Sequence, residues 1–193
     1  MSETSTSQDP VSYYIDHTIY TGRPADTTDR LPKEIRTYDL LDSLGITYTR
    51  ADHDTLPTME ACQEVGKLLG IEICKNLFLR NTQKTAFYLL ILPGSKKFKT
   101  AALSKQIGSA RLSFAEPEFM EKFLDITPGS ASILGLMNDG QHRVHLLIDE
   151  EILAEESIGC HPCINTTSLK IQTADIVEKF IKYTGHPYTA VHL

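Results

Sequence analysis

Three short segments of the chain combine reactive side chains with a permissive backbone. Residues 75–80 place a lysine at the start of a strand-like run, and residues 127–132 are rich in glycine and serine. Residues 159–167 contain a Gly-Cys-His-Pro sequence that is followed by an asparagine and two threonines. A cation, backbone amides and an imidazole that met in one cleft would bind an anionic or ester-bearing ligand. This is the chemistry that the pattern predicts.

Lys75 is the cation of this set. Residues 73–79 alternate as a β-strand does, so Lys75 shares one face with Leu77 and Leu79. A lysine on an apolar face either reaches water or meets an anion, and its ammonium suits a phosphate or a carbonyl oxygen. The alternative is an edge-strand lysine that discourages pairing with another chain.

The bend after Pro128 consists of the small residues Gly129, Ser130, Ala131 and Ser132. Such a bend can turn its amide N–H groups toward an anion or an ester oxygen. A plain turn is the alternative interpretation.

Cys160 and Cys163 form a Cys-x-x-Cys motif around His161. A redox-active pair needs its first cysteine at a helix N-terminus, but the residues that follow favour a strand. A zinc site needs a second close pair, which Cys62 and Cys74 do not supply. A cysteine–histidine nucleophile is disfavoured because adjacent residues of an extended chain point to opposite faces. We therefore interpret His161 as a hydrogen-bonding group, with a buried structural histidine as the alternative.

The bulk composition is that of a soluble globular domain. Of the 193 residues, 41% are hydrophobic and 23% are charged. The strongest apolar run, residues 87–92, is too short to span a membrane. The polar first residues lack the features of a secretory signal, so we expect a cytoplasmic protein with its cysteines as thiols.

The charge distribution limits the kinds of partner. A net charge of −6 argues against general coating of nucleic acid, although it permits contact with one end of such a molecule. A local basic zone, for which a solvated face is the alternative, comprises Lys96, Lys97, Lys99, Lys105 and Arg111.

The element pattern predicts an N-terminal extension at residues 1–30 and one domain at residues 31–193. Helices are predicted at 32–44, 58–69, 100–107, 116–124, 150–156 and 173–183, with strands at 46–51, 73–80, 85–92, 111–115, 142–148 and 164–171. This order indicates an α/β fold with a mixed sheet and helices packed against it. The absence of strict βαβ alternation and of a G-x-G-x-x-G motif argues against a doubly wound nucleotide-binding sheet.

Residues from about 33 to 186 resemble the prolyl-tRNA editing-domain superfamily, also called the YbaK/PrdX family. The branch that they resemble most is the free-standing alanine-specific deacylase of mischarged prolyl-tRNA. The matching segments are 75–80, 111–115, 127–130, 135–139 and 159–167. The resemblance implies an α/β fold around a mixed, partly barrel-like sheet with surrounding helices. It also implies hydrolysis of the ester between a wrong amino acid and the 3′-terminal adenosine of tRNA.

The resemblance also assigns roles to residues. Lys75 matches the family lysine that holds the tRNA end and the substrate, and Asn76 follows it as in the alanine editors. Residues 129–132 match the start of a Gly-x-x-x-Pro loop, in which Ile133 replaces the proline and would leave a more mobile bend. His161 matches the histidine of the family's Gly-x-His-Pro segment.

We predict Lys75 and His161 as catalytic residues, and Asn76 and residues 129–132 as substrate-binding. Lys75 and the amides would polarise the ester carbonyl, while His161 would order the loop, a water molecule or the adenosine ribose. An activated ester needs no side-chain nucleophile, and no general base is assigned.

Leu56, Pro57 and Met59 are predicted as walls of the amino-acid pocket. One extra methylene changes binding by only about 1–3 kcal/mol, so the pocket must exclude proline by steric overlap while it admits alanine. The alternative is that these three residues pack a helix against the sheet.

The resulting prediction is a cytoplasmic trans-editing hydrolase that clears alanyl-tRNA bearing the proline anticodon. Its partner would be the 3′ end and acceptor stem of mischarged tRNA(Pro), with prolyl-tRNA synthetase as a further candidate. No cofactor, metal or membrane is expected, and the oligomeric state is not predicted. The alternatives are a deacylase for cysteinyl or another small aminoacyl group, and a non-catalytic sensor of aminoacyl-tRNA or amino acids.

Overall fold

Nine strands form two sheets in the computed structural model, which describes residues 12–56 and 58–193. The first sheet is antiparallel throughout and has the order β1-β2-β8-β7. Its strands are β1 (Tyr20–Thr21), β2 (Tyr48–Asp52), β7 (Ser157–Cys160) and β8 (Thr167–Gln172).

The second sheet is mixed and carries the longest strands. They are β3 (Cys74–Asn81), β4 (Phe87–Pro93), β5 (Leu112–Phe114), β6 (Val144–Asp149) and β9 (Tyr188–Val191), in the order β5-β3-β4-β6-β9. Strand β3 runs antiparallel to β4 and β5, whereas β6 runs parallel to β4 and β9. The predicted mixed α/β fold is confirmed, but the strands form two open sheets rather than one partly barrel-like sheet.

Seven α-helices surround the sheets within the described residues. They are α1 (Pro32–Ser43), α2 (Met59–Leu69), α3 (Thr100–Gln106), α4 (Pro117–Leu124), α5 (Glu150–Ala154), α6 (Thr173–Asp175) and α7 (Ile181–Thr184). A π-helical segment (Ile176–Phe180) makes α6 and α7 continuous, and a 3₁₀ helix spans Ile133–Asn138. None of the helices in the described part of the chain is long and apolar enough to cross a membrane.

Helix α2 illustrates how local sequence sets an element's ends. The side chain of Thr58 accepts a hydrogen bond from the Ala61 amide at 3.2 Å, which satisfies one of the free donors of the first turn. Gly70 ends the helix in the left-handed conformation, at φ 64°. Both ends agree with the predicted boundaries.

The two faces of the second sheet bury separate apolar clusters. On β4, Leu89 and Ile91 pack in the larger cluster, which also includes Leu169 and Ile171 of the first sheet. Leu90, which alternates with them, packs in a smaller cluster under α3. Because side chains alternate along a strand, each residue of β3 or β4 belongs to one side or the other. This division decides which site residues can meet.

The N-terminal segment packs on the first sheet as far as it is described. Strand β1 pairs with β2, and Ile15 forms an isolated antiparallel bridge with His53. Residues 1–11 of the predicted extension lie outside the described residues. The division into residues 1–30 and 31–193 stays a prediction.

Candidate functional site

The bend at residues 129–132 is held from inside by its two serines. The Ser130 hydroxyl donates to the Thr127 carbonyl oxygen at 2.8 Å and accepts from the Thr127 amide at 3.1 Å. The Ser132 hydroxyl accepts from the Leu134 amide at 3.2 Å and caps the 3₁₀ helix. Both side chains are buried, so their hydroxyls shape the bend rather than offering themselves to a ligand.

Three of the four amides in the bend have no hydrogen-bond acceptor in the described structure. The Ser130 amide donates to the Thr127 carbonyl at 3.0 Å and is therefore occupied. Within the described residues, the amides of Gly129, Ala131 and Ser132 donate no hydrogen bond. Gly129 has φ +88°, a conformation that glycine adopts without strain. Ser132 is fully buried, so the amides that a ligand could reach are those of exposed Gly129 and half-buried Ala131. They are donors of the kind that stabilise an oxyanion.

Ile133 anchors the far end of the bend. It is the first residue of the 3₁₀ helix and only 1% exposed, because its side chain packs in the larger apolar cluster. Loss of the family proline is expected to make the bend more mobile. Burial of the Ile133 side chain opposes this effect, because it fixes the chain at the same position.

His161 lies in the loop between β7 and β8, with its ring in a defined tautomer. Its Nδ1 contacts the backbone carbonyl oxygen of Thr167 at 2.8 Å. A carbonyl oxygen can only accept, so Nδ1 carries the proton and Nε2 carries the lone pair. Burial lowers the pKa of His161, and the nearby His53 lowers it further, against the opposing effect of the Thr167 carbonyl. His161 is therefore a neutral acceptor at pH 7.

His53 supports His161 and was not identified from the sequence. Their rings meet edge to face, with centroids 6.2 Å apart. His53 contacts the Asp54 carbonyl through Nδ1 at 2.8 Å and the Ser168 hydroxyl through Nε2 at 2.9 Å. Burial lowers its pKa, although neighbouring acidic groups oppose this. Its only sequence signal is a histidine between two aspartates at the end of a predicted strand.

Asn165 connects the bend to the histidine loop. A Cβ atom placed on Gly129 would lie 3.4 Å from Nδ2 of Asn165, so the Asn165 side chain lies beside Gly129. The Oδ1 of the same asparagine accepts from the Thr55 hydroxyl at 3.4 Å. The bend, the loop of His161 and the segment after His53 therefore converge.

A partly buried ionic network lies behind the histidine loop. Arg30 donates to Asp52 at 2.6 Å and to the Thr167 hydroxyl at 3.1 Å, and that hydroxyl donates to Asp52 at 2.9 Å. Burial opposes the charge on Asp52, but hydrogen bonds from Arg30 and Arg50 outweigh it and lower the pKa of the carboxyl. Thr167, whose carbonyl orients His161, is thus fixed by the side chain of Arg30 in the N-terminal segment.

Lys75 lies apart from these groups. Its Nζ donates to the Lys96 carbonyl oxygen at 2.8 Å. Its strand neighbour Leu77 packs in the cluster under α3, whereas Ile133 belongs to the cluster on the other side of the sheet. Among the described residues, no hydrogen bond joins Lys75 to the bend or to His161. The lysine instead lines an open concavity with Leu77, Phe98, Lys99, Thr100, Ala101 and Phe114.

Asn76 faces the opposite way from Lys75. It alternates with Cys74 and Phe78, which pack in the larger cluster on the side of the bend. The Asn76 Nδ2 makes a long hydrogen bond of 3.4 Å to the Cys74 carbonyl, while Oδ1 is buried without a partner in the described structure. A buried acceptor without a donor is costly and marks a position that a ligand can satisfy.

The predicted pocket walls are described only in part. Leu56 is half-buried and packs with the cluster of Ile15, Val65 and Leu69, which joins α2 to the N-terminal segment. Pro57 lies outside the described residues. Met59 is the first residue of α2, and its side chain is likewise outside them.

The four cysteines are free thiols. All four are free, and burial raises the pKa of Cys74 and of Cys163 to about 11. Such thiols stay protonated at neutral pH and are poor nucleophiles. In the described part of the chain, no group of three or more histidine, cysteine or acidic residues could hold a metal ion.

The family model of the aminoacyl-tRNA editing domain matches residues 53–179, which is more than half of the chain. This chain belongs to the aminoacyl-tRNA editing domain family. Membership confirms the predicted superfamily and the predicted class of enzyme, an aminoacyl-tRNA deacylase. The matched segment contains His53, the bend and the loop of His161.

Two curated relatives extend the comparison beyond this segment. The prolyl-tRNA editing protein ProX of Acetoanaerobium sticklandii is 31% identical over 153 residues, which cover 79% of this chain and 93% of the relative. The prolyl-tRNA synthetase associated domain-containing protein 1 of Danio rerio is 28% identical over 159 residues, which cover 81% and 84% respectively.

Two solved structures share the fold. The hypothetical protein APE2540 superposes with a TM-score of 0.59 at 17% identity, covering 81% of this chain and 97% of the other. A candidate trans-editing enzyme for prolyl-tRNA synthetase superposes with a TM-score of 0.60 at 15% identity, covering 84% and 98%. At these identities, the superpositions support the mixed α/β fold alone.

Proposed function

We propose that this chain hydrolyses the aminoacyl ester of mischarged tRNA(Pro), with alanine as the preferred amino acid. One observation carries the proposal: the unpartnered amides of Gly129 and Ala131 lie in a bend beside the loop of a neutral, oriented histidine. ProX, a relative named for prolyl-tRNA editing, supports the choice of tRNA.

The chemistry follows from these donors and the lone pair of His161. The ester carbonyl oxygen accepts hydrogen bonds from the amides of Gly129 and Ala131, which stabilise the negative charge that develops as water attacks. Nε2 of His161 accepts a hydrogen bond from the water or from the ribose 2′-OH. The tetrahedral intermediate collapses by breaking the bond to the ribose 3′ oxygen. This oxygen takes up the proton that the attacking water loses, so the products are free tRNA and the amino acid.

Asn76 and Lys75 act at two ends of the substrate in this proposal. The buried Oδ1 of Asn76 can accept from the α-ammonium of the amino acid, because it has no other donor in the described structure. Lys75 lies on the opposite face, so we assign it to the RNA rather than to the ester carbonyl. Its ammonium suits a phosphate of the 3′ end.

Selectivity for alanine over proline must come from steric exclusion, since small differences in apolar contact discriminate weakly. We propose that Leu56, Pro57 and Met59 form this wall where α2 begins. The packing of Leu56 with Val65 and Leu69 also fits the alternative of a purely structural contact. The variant Leu56→Ala distinguishes a steric wall from a structural contact. If Leu56 forms the wall, this variant should hydrolyse Pro-tRNA(Pro) faster than the wild type. If Leu56 only packs α2, that rate should not rise.

The compartment and the partners follow from the same substrate. Charged tRNA is used in translation, so we propose action in the cytoplasm on the 3′ end and acceptor stem of tRNA(Pro). Association with prolyl-tRNA synthetase is a further proposal. The name of the Danio rerio relative supports it.

Single-turnover deacylation by the full chain tests the proposal. The substrates are Ala-, Cys- and Pro-tRNA(Pro), with Ala-tRNA(Ala) and a reaction without enzyme as controls. We expect release of alanine from tRNA(Pro) to be fastest. Faster release of cysteine would support the alternative substrate, and tight binding of Ala-tRNA(Pro) without release of alanine would support the sensor and overturn the hydrolase.

A further inference from the structure

Asp149 is a buried carboxylate to which the proposed chemistry gives no role. Its side chain is fully buried where β6 ends and α5 begins. Both of its carboxylate oxygens accept from the Lys96 ammonium at 2.9 Å, and Oδ1 also accepts from the Glu151 amide at 3.1 Å. A buried charge is costly unless it is paired and hydrogen-bonded. The pair therefore holds the Lys96 side chain against the start of α5.

The turn that contains Lys96, directly after β4, is fixed at further points. The Lys96 amide donates to the Pro93 carbonyl oxygen at 3.1 Å, which closes the turn. The Ser95 amide donates to a carboxylate oxygen of Glu72 at 2.9 Å. The Lys96 ammonium also meets the Glu151 carboxylate at 2.8 Å. Both the backbone and the side chain of Lys96 are held, so its carbonyl oxygen has a defined position.

That carbonyl oxygen is the acceptor for Lys75. The Lys75 Nζ donates to it at 2.8 Å from the start of β3. A lysine side chain is long and has many rotamers, and one fixed acceptor selects among them. An ammonium has three N–H donors, so this contact directs one of them and leaves two for a ligand.

The charge of Lys96 differs from that of the other cations in the basic zone. Two carboxylates surround its ammonium, whereas Lys75 forms no ion pair among the described residues. The Lys96 side chain is only 14% exposed, because it points to Asp149 rather than to solvent. Lys96 is thus an internal cation whose charge is neutralised where it lies beside Lys75.

We propose that Lys96 and Asp149 are positioning residues for Lys75. Their ion pair fixes the carbonyl oxygen that holds the Lys75 ammonium, and it thereby determines where this ammonium can meet a phosphate of the substrate. Neither Lys96 nor Asp149 touches the substrate itself. The inference rests on the proposed function for the contact between Lys75 and RNA, but it does not depend on the ester chemistry.

The first measurement follows the Lys75 ammonium without any RNA. The full chain is treated with a low concentration of acetic anhydride, and mass spectrometry gives the acetylation rate at each lysine. Asp149→Asn keeps an oxygen that can cap α5 but removes the charge that holds Lys96. Lys75 should then react about 2- to 10-fold faster than in the wild type, as for loss of one hydrogen bond. Lys105, which is exposed on α3, is the internal control and should react at an unchanged rate.

The second measurement is the binding of uncharged tRNA(Pro), which carries no ester. Lys75→Ala should weaken binding about 10- to 150-fold, the range for one hydrogen bond to a charged group. Lys96→Met should weaken binding in the same range, but it should have no further effect when combined with Lys75→Ala, because it acts through that lysine. Lys96→Arg, which can still pair with Asp149, should bind like the wild type. Lys182→Met breaks an exposed ion pair with Glu178 and is the matched control.

Asp149→Asn separates positioning from a direct contact between Lys96 and RNA. If Lys96 bound RNA itself, its release from Asp149 would strengthen binding, and Lys96→Met would weaken binding even in the Lys75→Ala variant. Positioning requires the opposite, so Asp149→Asn should bind tRNA(Pro) more weakly than the wild type. A merely structural ion pair would lower the midpoint of urea unfolding in both single variants and leave binding unchanged. Either of these other results would contradict the inference.

The double variant Lys96→Met/Asp149→Asn keeps the test valid if a single variant does not fold. It leaves no unpaired charge in the buried site, which is the costly consequence of removing one partner alone. We expect it to fold, as judged by circular dichroism, and to bind tRNA(Pro) as weakly as Lys96→Met. Wild-type binding by this folded variant, or an unchanged acetylation rate at Lys75, would refute the proposal.

The outcomes separate this inference from the proposed deacylation. Weakened binding that depends on Lys75 would support the inference even if the wild type releases no alanine from Ala-tRNA(Pro). Equal binding by Lys75→Ala and the wild type would overturn it even if the wild type is an active hydrolase, because Lys75 would then have no RNA contact to position.

Discussion

His161 donates through Nδ1 to the backbone carbonyl of Thr167 at 2.8 Å, and this contact leaves its Nε2 as a free acceptor. The side chain of the same threonine is held by Asp52 and Arg30. The orientation of the imidazole is thus linked to a network that reaches into the N-terminal segment. A histidine held in this way can accept a proton or a hydrogen bond but is not free to rotate.

The pH dependence of deacylation should report the protonation of His161. Burial lowers its pKa below the ordinary value of 6.5. Activity should therefore be constant at neutral pH and fall only as the pH drops through this lowered pKa, where Nε2 gains a proton. The measurement is kcat/KM against pH, corrected for uncatalysed ester hydrolysis. An acidic limb centred at or above pH 6.5 would contradict the assignment, and the exposed His17→Gln should keep the wild-type profile.

Gly129→Ala should impair both the fold and the reaction. Its φ of +88° is strained for alanine, and the new Cβ would lie 3.4 Å from Asn165. We expect a loss of about 1–3 kcal/mol in the free energy of unfolding. If one amide donor is misplaced, kcat should fall about 100- to 1,000-fold. Gly140→Ala is the control, because its Cβ would meet no atom within 4 Å. Equal kcat for the two variants would exclude the bend from catalysis.

Ile133→Pro tests whether burial replaces the family proline. Ser132 has φ −152° and ψ 143°, which a residue before proline can adopt, and position 133 is the first of its helix. We therefore expect Ile133→Pro to lower the free energy of unfolding only through the loss of side-chain packing. Ile133→Ala should lose about 2–5 kcal/mol, and Ile133→Pro no more than that. Urea denaturation of both variants measures this. A proline variant much less stable than the alanine variant would mean that the backbone requires a free N–H here.

Arg30→Gln should destabilise the chain more than an exposed arginine does. Arg30 bridges Asp52 and Thr167 in a partly buried network. Its removal takes away the donor to the Thr167 hydroxyl and leaves Asp52 with Arg50 and Thr167 as its remaining donors. We expect a loss of about 1–3 kcal/mol in the free energy of unfolding. Arg23 pairs with Asp39 on the surface, so Arg23→Gln should lose at most about 1 kcal/mol. Equal losses would show that the network adds nothing beyond a surface pair.

The local sequence was sufficient to predict the helices whose ends carry clear capping and termination signals. Helix α2 was predicted because Thr58 caps it and Gly70 terminates it. The short strands β7 and β9 were not predicted, since their pairing partners are distant in sequence and four residues carry little periodicity. Strand β1 is shorter still and is defined by its pairing with β2.

The candidate site was predictable in residue type but not in arrangement. The sequence places Lys75 and Asn76 on opposite faces of β3, yet it does not reveal which face meets the bend, because that depends on how the sheets pack. His53 was missed for a related reason. Its role comes from Ser168 and His161, which approach only in the folded chain.

The most direct test of the account separates the chemical step from RNA binding. It measures single-turnover hydrolysis of Ala-tRNA(Pro) by the wild type, His161→Gln and Lys75→Ala, at subsaturating and saturating enzyme, with circular dichroism to verify that each variant folds. We predict that His161→Gln is at least about 100-fold slower at saturation, as for loss of a proton acceptor. Lys75→Ala should lose most of its activity at subsaturating enzyme. A His161→Gln variant that releases alanine at the wild-type rate would contradict the central claim.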